Sequence, residues 1–167
     1  MKPGRRATQG ASSPGPSAYD RALRMLARRE YSSRELHTRL AQLGHSEAEA
    51  TAALARLEAA HYQDDQRFAE MLLRSRIAQG YGPLRLHAEL KSHGFADARI
   101  RELLDAADVD WDACAVAQLR RRYGADRAGD HAARARRAQF LLRRGFAAAT
   151  VRAATQADMG QSADPES

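Results

Sequence analysis

The sequence predicts an all-α protein built from three tandem three-helix units, and three observations lead there. Ala, Leu, Arg, Glu and Gln dominate the 167 residues while Val, Ile and Thr are sparse, and the favoured side chains lose little rotamer freedom in a helix. One segment of the chain recurs at an offset of 50 residues and again, in weaker form, 51 residues later. That spacing suits stacked helical units, of which about three are needed for a stable array. Three serine capping signals fall at regular places within the first copy. Apolar residues make up 44% of the chain, enough for real cores.

The repeat is clearest between YSSRELHTRLAQLGHSEAEATAALARL (31–57) and YGPLRLHAELKSHGFADARIRELLDAA (81–107). Tyr31 meets Tyr81, Leu36 meets Leu86, His37 meets His87, Leu40 meets Leu90, and Gly44 meets Gly94. The third copy, RAQFLLRRGFAAATVRAA (137–154), keeps Leu141, Gly145, Phe146 and Val151 against Leu90, Gly94, Phe95 and Ile100.

In the first copy, Ser17-x-x-Asp20 starts a helix with Ala22, Leu23 and Leu26 on one face. Ser32-x-x-Glu35 reads as a capping box for a second helix whose stripe is Leu36, Leu40 and Leu43, stopped by Gly44. Ser46-x-x-Glu49 caps a third, carrying Ala50, Leu54 and Leu57. In the second copy, Asp64 or Asp65 caps a helix with Phe68, Leu72 and Ile77 inward, and Gly80-Tyr81-Gly82-Pro83 breaks it. Pro83 then suits a first helical turn, where its missing N–H costs nothing. Leu86 and Leu90 follow, Gly94 stops that helix, and Ile100, Leu103 and Leu104 build the next. The third copy opens with a helix over Trp111 to Tyr123, closed by Gly124, then a linker and a middle helix. The expected organisation is a disordered tail (1–17), units at 18–61, 62–107 and 108–155, and a second disordered tail from Gln156. Both tails are short, polar and poor in groups that could be buried.

The net charge of +6 is unevenly spread. The basic N-terminal tail and the acidic C-terminal tail cancel, while residues 108–155 hold ten bases against five acids. Nearly all the bases are arginine, whose planar fork suits phosphate and carboxylate. With one cysteine, Cys114, no internal disulfide forms, and a reducing cytoplasm is the expected setting. No signal-peptide core and no membrane-length apolar run occur.

No enzymatic constellation is found. The only lysines, Lys2 and Lys91, do not follow a Gly-rich phosphate loop, and none of the six histidines lies in a zinc-binding motif. Cys114 sits in WDACAVAQL at the spacing of a packed helix. Asp64 and Asp65 are adjacent, so on a helix they point apart, and capping explains them better than paired-carboxylate catalysis. Neither cofactor nor metal is expected. Two arginine clusters remain: QLRRRYG, with Arg120, Arg121, Arg122 and Tyr123, and RARRAQFLLRRG, with Arg134, Arg136, Arg137, Arg143 and Arg144. Helical spacing spreads these around an exposed face. A solvated surface is the ordinary role of such runs; an excess with few nearby acids also attracts phosphate backbones or an acidic protein groove.

The stretch DDQRFAEMLLRSRIAQGYGPLRLHAELKSHGF (64–95) strongly resembles the signature region of the RecX family, bacterial regulators of the RecA recombinase. The matching elements are Asp64-Asp65, Arg67-Phe68-Ala69, Arg74-Ser75-Arg76, Gly80-Tyr81-Gly82-Pro83 and the L-x-x-x-L-x-x-x-G that follows. The resemblance implies an elongated, curved array of three three-helix units that binds in the groove of the RecA–single-stranded DNA filament. There it would suppress ATP hydrolysis, strand exchange and co-protease activity, with no catalytic residues of its own. Some members also bind DNA, so single- or double-stranded DNA is a second expected partner. The chain is expected to act as a monomer away from membranes. On this reading Arg67, Arg74, Arg76, Arg85, Arg120, Arg121, Arg122, Arg136 and Arg137 are the candidate RecA or DNA contacts. Asp64, Asp65, Phe68, Gly80, Tyr81, Gly82 and Pro83 are the structural signature, with Tyr81 packing against its turn as Tyr31 does one repeat earlier. A stand-alone basic nucleic-acid-binding module is the alternative.

Overall fold

A computed structural model describes residues 15–124 and 129–160, and among these it contains nine α-helices and no strand. The first three are α1 (Ala18–Leu26), α2 (Ser33–Gln42) and α3 (Glu47–Ala59). The next are α4 (Asp65–Ala78), α5 (Pro83–Ser92) and α6 (Asp97–Ala106). The last are α7 (Trp111–Tyr123), α8 (His131–Arg144) and α9 (Ala148–Gly160). None of the described helices is long and apolar enough to cross a membrane.

The helices start where side chains satisfy their first free N–H groups. Ser17, Ser32, Ser46, Asp64, Asp110 and Asp130 each accept from the backbone N–H three residues on. At Ser46 the reciprocal arm is also in place, since the Glu49 carboxylate accepts from the Ser46 N–H at 2.8 Å. The Glu35 carboxylate, three residues after Ser32, is engaged by Arg29 at 2.6 Å and Arg39 at 3.2 Å. His37 and His87, paired by the repeat, each reach a carboxylate across the following turn: Glu47 at 3.0 Å and Asp97 at 3.3 Å.

Each triplet closes on its own apolar cluster. Ala22, Leu36, Leu40, Ala50 and Leu57 are fully buried in the first, and Ala69, Leu90 and Ile100 in the second. Ala115, Leu141 and Phe146 are fully buried in the third. Trp111 packs against both the second and the third cluster. Leu43, read as the end of the α2 stripe, is 49% exposed, because α2 ends at Gln42 and the chain turns away through Gly44. Cys114 is half-buried, and its surroundings, with Asp110 nearby, push the thiol pKa up.

One expectation needs adjusting. Residues 156–160, read as the start of a polar tail, continue α9 as helix. The three triplets expected from the repeat are present, and the chain divides into two compact units at Gln63–Asp64, the second holding both later triplets. The tail segments 1–14 and 161–167 and the linker residues 125–128 lie outside the described residues.

Candidate contact surface of the second and third domains

The signature stretch is first a piece of scaffold. Asp64 Oδ1 accepts from the Arg67 N–H at 3.1 Å, and Asp65 sits in the first turn of α4, where the helix dipole favours a carboxylate. Phe68, only 2% exposed, packs its ring on His93 with centroids 4.7 Å apart. Gly82 is the residue before α5 and Pro83 its first residue.

What the sequence does not announce is where that turn goes. The Gly82 N–H donates to the Arg144 carbonyl at 2.8 Å, and the Leu84 N–H to the Gly145 carbonyl at 3.0 Å. Free N–H groups at the start of α5 thus meet free carbonyls at the end of α8, satisfying both helix ends and opposing their dipoles favourably. The Arg144 guanidinium adds a bond of 2.6 Å to the Gln79 carbonyl. Backbone touches backbone closely enough that a Cβ on Gly82 would stand 2.5 Å from the Gly145 carbonyl group. One on Gly80, whose φ is +79°, would strike the Gln118 side chain.

Around this clasp runs an alternation of guanidiniums and rings. Arg85 lies 4.2 Å and Arg144 5.2 Å from the centre of the Tyr81 ring. Arg144 also lies 5.3 Å from Phe140, which Arg122 approaches at 4.9 Å. Arg122 and Arg137 in turn flank Tyr123 at 5.6 and 5.0 Å. Phe140 and Tyr123 meet edge to face. A cation–π contact with a ring leaves guanidinium N–H groups available for hydrogen bonding. The equivalent ring one repeat earlier, Tyr31, is flanked by Arg29 and Arg39 of its own domain. Tyr81 differs in borrowing one guanidinium from the next domain.

The nine arginines singled out in the sequence are sorted by this geometry. Arg76, Arg85, Arg121 and Arg122 gather around Tyr81 and the clasp. Arg76 is held there by Glu89, with Nη2 2.6 Å from Oε1 and Nε within 3.0 Å of both oxygens, which raises its pKa further. Arg74 edges a separate, mainly apolar cleft with Leu73, Ile77 and Leu103, and Arg120 lines another with Val116 and Ala157. Arg67 lies at the start of α4, and Arg136 is exposed on α8. Arg137, expected on an exposed face, is only 5% exposed, because that side of α8 turns toward Tyr123 on α7. Arg144, absent from the nine, is central. Its signal was its place just before Gly145, the turn glycine of the third copy.

Fold and surface together define a class: an all-helical tandem-domain protein whose distinctive surface is a cluster of arginines and aromatic rings. Family models for the first, second and third three-helix domains of RecX match residues 18–57, 64–104 and 108–155. The chain belongs to the RecX family, a family of regulatory proteins. It is 45% identical to the regulatory protein RecX of Halorhodospira halophila over 147 residues, covering 88% of this chain and 91% of the relative. It is 43% identical to that of Stenotrophomonas maltophilia over 138 residues, covering 83% and 85%. The crystal structure of RecX from Lactobacillus salivarius superimposes with a TM-score of 0.70 at 21% identity, covering 85% of this chain and 94% of that one.

Proposed function

We propose that the chain regulates a RecA recombinase by binding in the groove of the RecA–single-stranded DNA filament, limiting its ATP hydrolysis, strand exchange and co-protease activity. The observation that supports this most is the gathering of Arg76, Arg85, Arg121, Arg122 and Arg144 at the joint between two domains, in a chain whose relatives are regulatory RecX proteins. A polymer offers the same acidic and phosphate features at intervals. Several modest contacts from tandem domains then combine through effective concentration. The protein acts as a cytoplasmic monomer on this reading, in keeping with its single cysteine.

Titrating the protein into RecA hydrolysing ATP on single-stranded DNA tests the reading. Inhibition is expected well below one molecule per RecA; unaltered hydrolysis at an equimolar ratio sinks it. The surplus of ten bases over five acids in residues 108–155 favours a second reading, a nucleic-acid-binding module that acts without RecA. Steeply salt-dependent DNA binding with no effect on the RecA ATPase is its expected signature.

A further inference from the structure

At the joint of the second and third domains a cleft of about 500 Å³ is lined by Gln79, Tyr81, Gln118, Arg121, Arg122 and Arg144. Among the described residues only Ala78 also lines it, so three guanidiniums face the cleft and no described acid does. Among the described residues no carboxylate pairs with any of these three arginines.

We propose that this cleft is a binding site for closely spaced phosphate groups. Two of its guanidiniums are positioned before any ligand arrives. Arg144 is bonded to the Gln79 carbonyl and lies within cation–π range of Tyr81 and Phe140, and Arg122 lies within that range of Phe140 and Tyr123. Since both lie near the Phe140 ring, at 4.9 and 5.3 Å from its centre, one compact polyanion can reach both. Fixing them in advance lowers the ordering cost that an anion would otherwise meet. Their exposed edges are the bidentate donors that phosphate oxygens match. Bringing three like charges to one cleft without an acid is unfavourable in the free protein, and a ligand with several negative charges relieves it. Gln118, on α7, adds a neutral amide donor. The volume lies within the range of small-ligand sites and is too small to admit a duplex. Two sources carry this chemistry: a free polyphosphate, or successive phosphates of one nucleic-acid strand.

The test omits RecA, so its failure and that of the RecA reading are separate results. Binding of inorganic tripolyphosphate is followed by calorimetry, and of fluorescein-labelled oligothymidylate by anisotropy. The parent is compared with Arg121→Gln/Arg122→Gln and with Arg28→Gln/Arg34→Gln, which removes the same charge from exposed positions of the first domain. About tenfold or greater weakening is expected for the first variant only. Tripolyphosphate affected alone identifies a free ligand. Oligothymidylate affected, with a salt slope reduced by about 0.7 per lost phosphate contact, identifies a strand. Equal weakening in both variants, no binding of either probe at low salt, or equally tight binding of polyglutamate overturns the proposal.

Discussion

Gly82 shows how much one missing methyl group decides. Its φ of −88° is one that any residue adopts, so the demand for glycine is steric rather than conformational. Gly82→Ala places a carbon 2.5 Å from the Gly145 carbonyl, where only a backbone shift gives relief. Overpacking of this kind costs about 1–3 kcal/mol. Urea unfolding is expected to register that loss, while Gly129→Ala, with nothing within 4 Å, leaves stability unchanged. Arg137 makes the complementary point. Reversing its charge puts a carboxylate into a buried position beside Tyr123, which costs about 3 kcal/mol or more. Arg137→Glu is therefore expected to lower the melting temperature of the protein, and Arg136→Glu, on the exposed side of the same helix, to leave it in place; circular dichroism distinguishes them. A role for Arg137 in contact rather than structure would give the reverse.

At the scale of elements the sequence was legible. Capping serines, turn glycines and the leucine stripe act within one helix or between neighbours, so their signals sit a few residues apart in the chain. The Trp111–Tyr123 helix and its closing Gly124 could be read directly for that reason. Glu35 was read only in part: its position three residues after Ser32 suggested a reciprocal cap, but Arg29 and Arg39 also claim it. Burial pushes its pKa up, yet the bonds to Arg29 and Arg39 more than offset this and leave it below the ordinary glutamate value. A carboxylate depressed in the folded state contributes stability that is fully present above its unfolded pKa, about 4.3, and is lost as pH falls through the folded value. Stability of the first domain is thus expected to fall in acid below about pH 4. Glu35→Gln should flatten that part of the urea midpoint–pH curve; an identical curve would remove Glu35 from the account.

At the scale of the molecule the sequence said less, because the decisive contacts join residues about 60 apart. Nothing in Gly80-Tyr81-Gly82-Pro83 alone indicates that its N–H groups pair with the carbonyls of Arg144 and Gly145. Periodicity gave the three similar units, but not the backbone hydrogen bonds that join the second to the third. The same distance explains the contact residues. Helical spacing identified Arg121 and Arg122, but only folding brings them beside Arg85 and Arg144. Reversing both charges, Arg121→Glu/Arg122→Glu, is expected to raise the protein concentration for half-inhibition of RecA by tenfold or more with helicity intact. Unchanged inhibition would reduce these residues to solubilising groups.

The meeting of Gly82 with Gly145 also limits how this chain can vary over generations. A Cβ on Gly82 would strike the Gly145 carbonyl, and one on Gly145 would strike the Arg85 main chain. Side chains can be trimmed by a second substitution elsewhere, but main-chain atoms are common to all twenty amino acids. A change at either glycine is therefore not rescued by trimming its neighbour, so each of the two positions is constrained on its own.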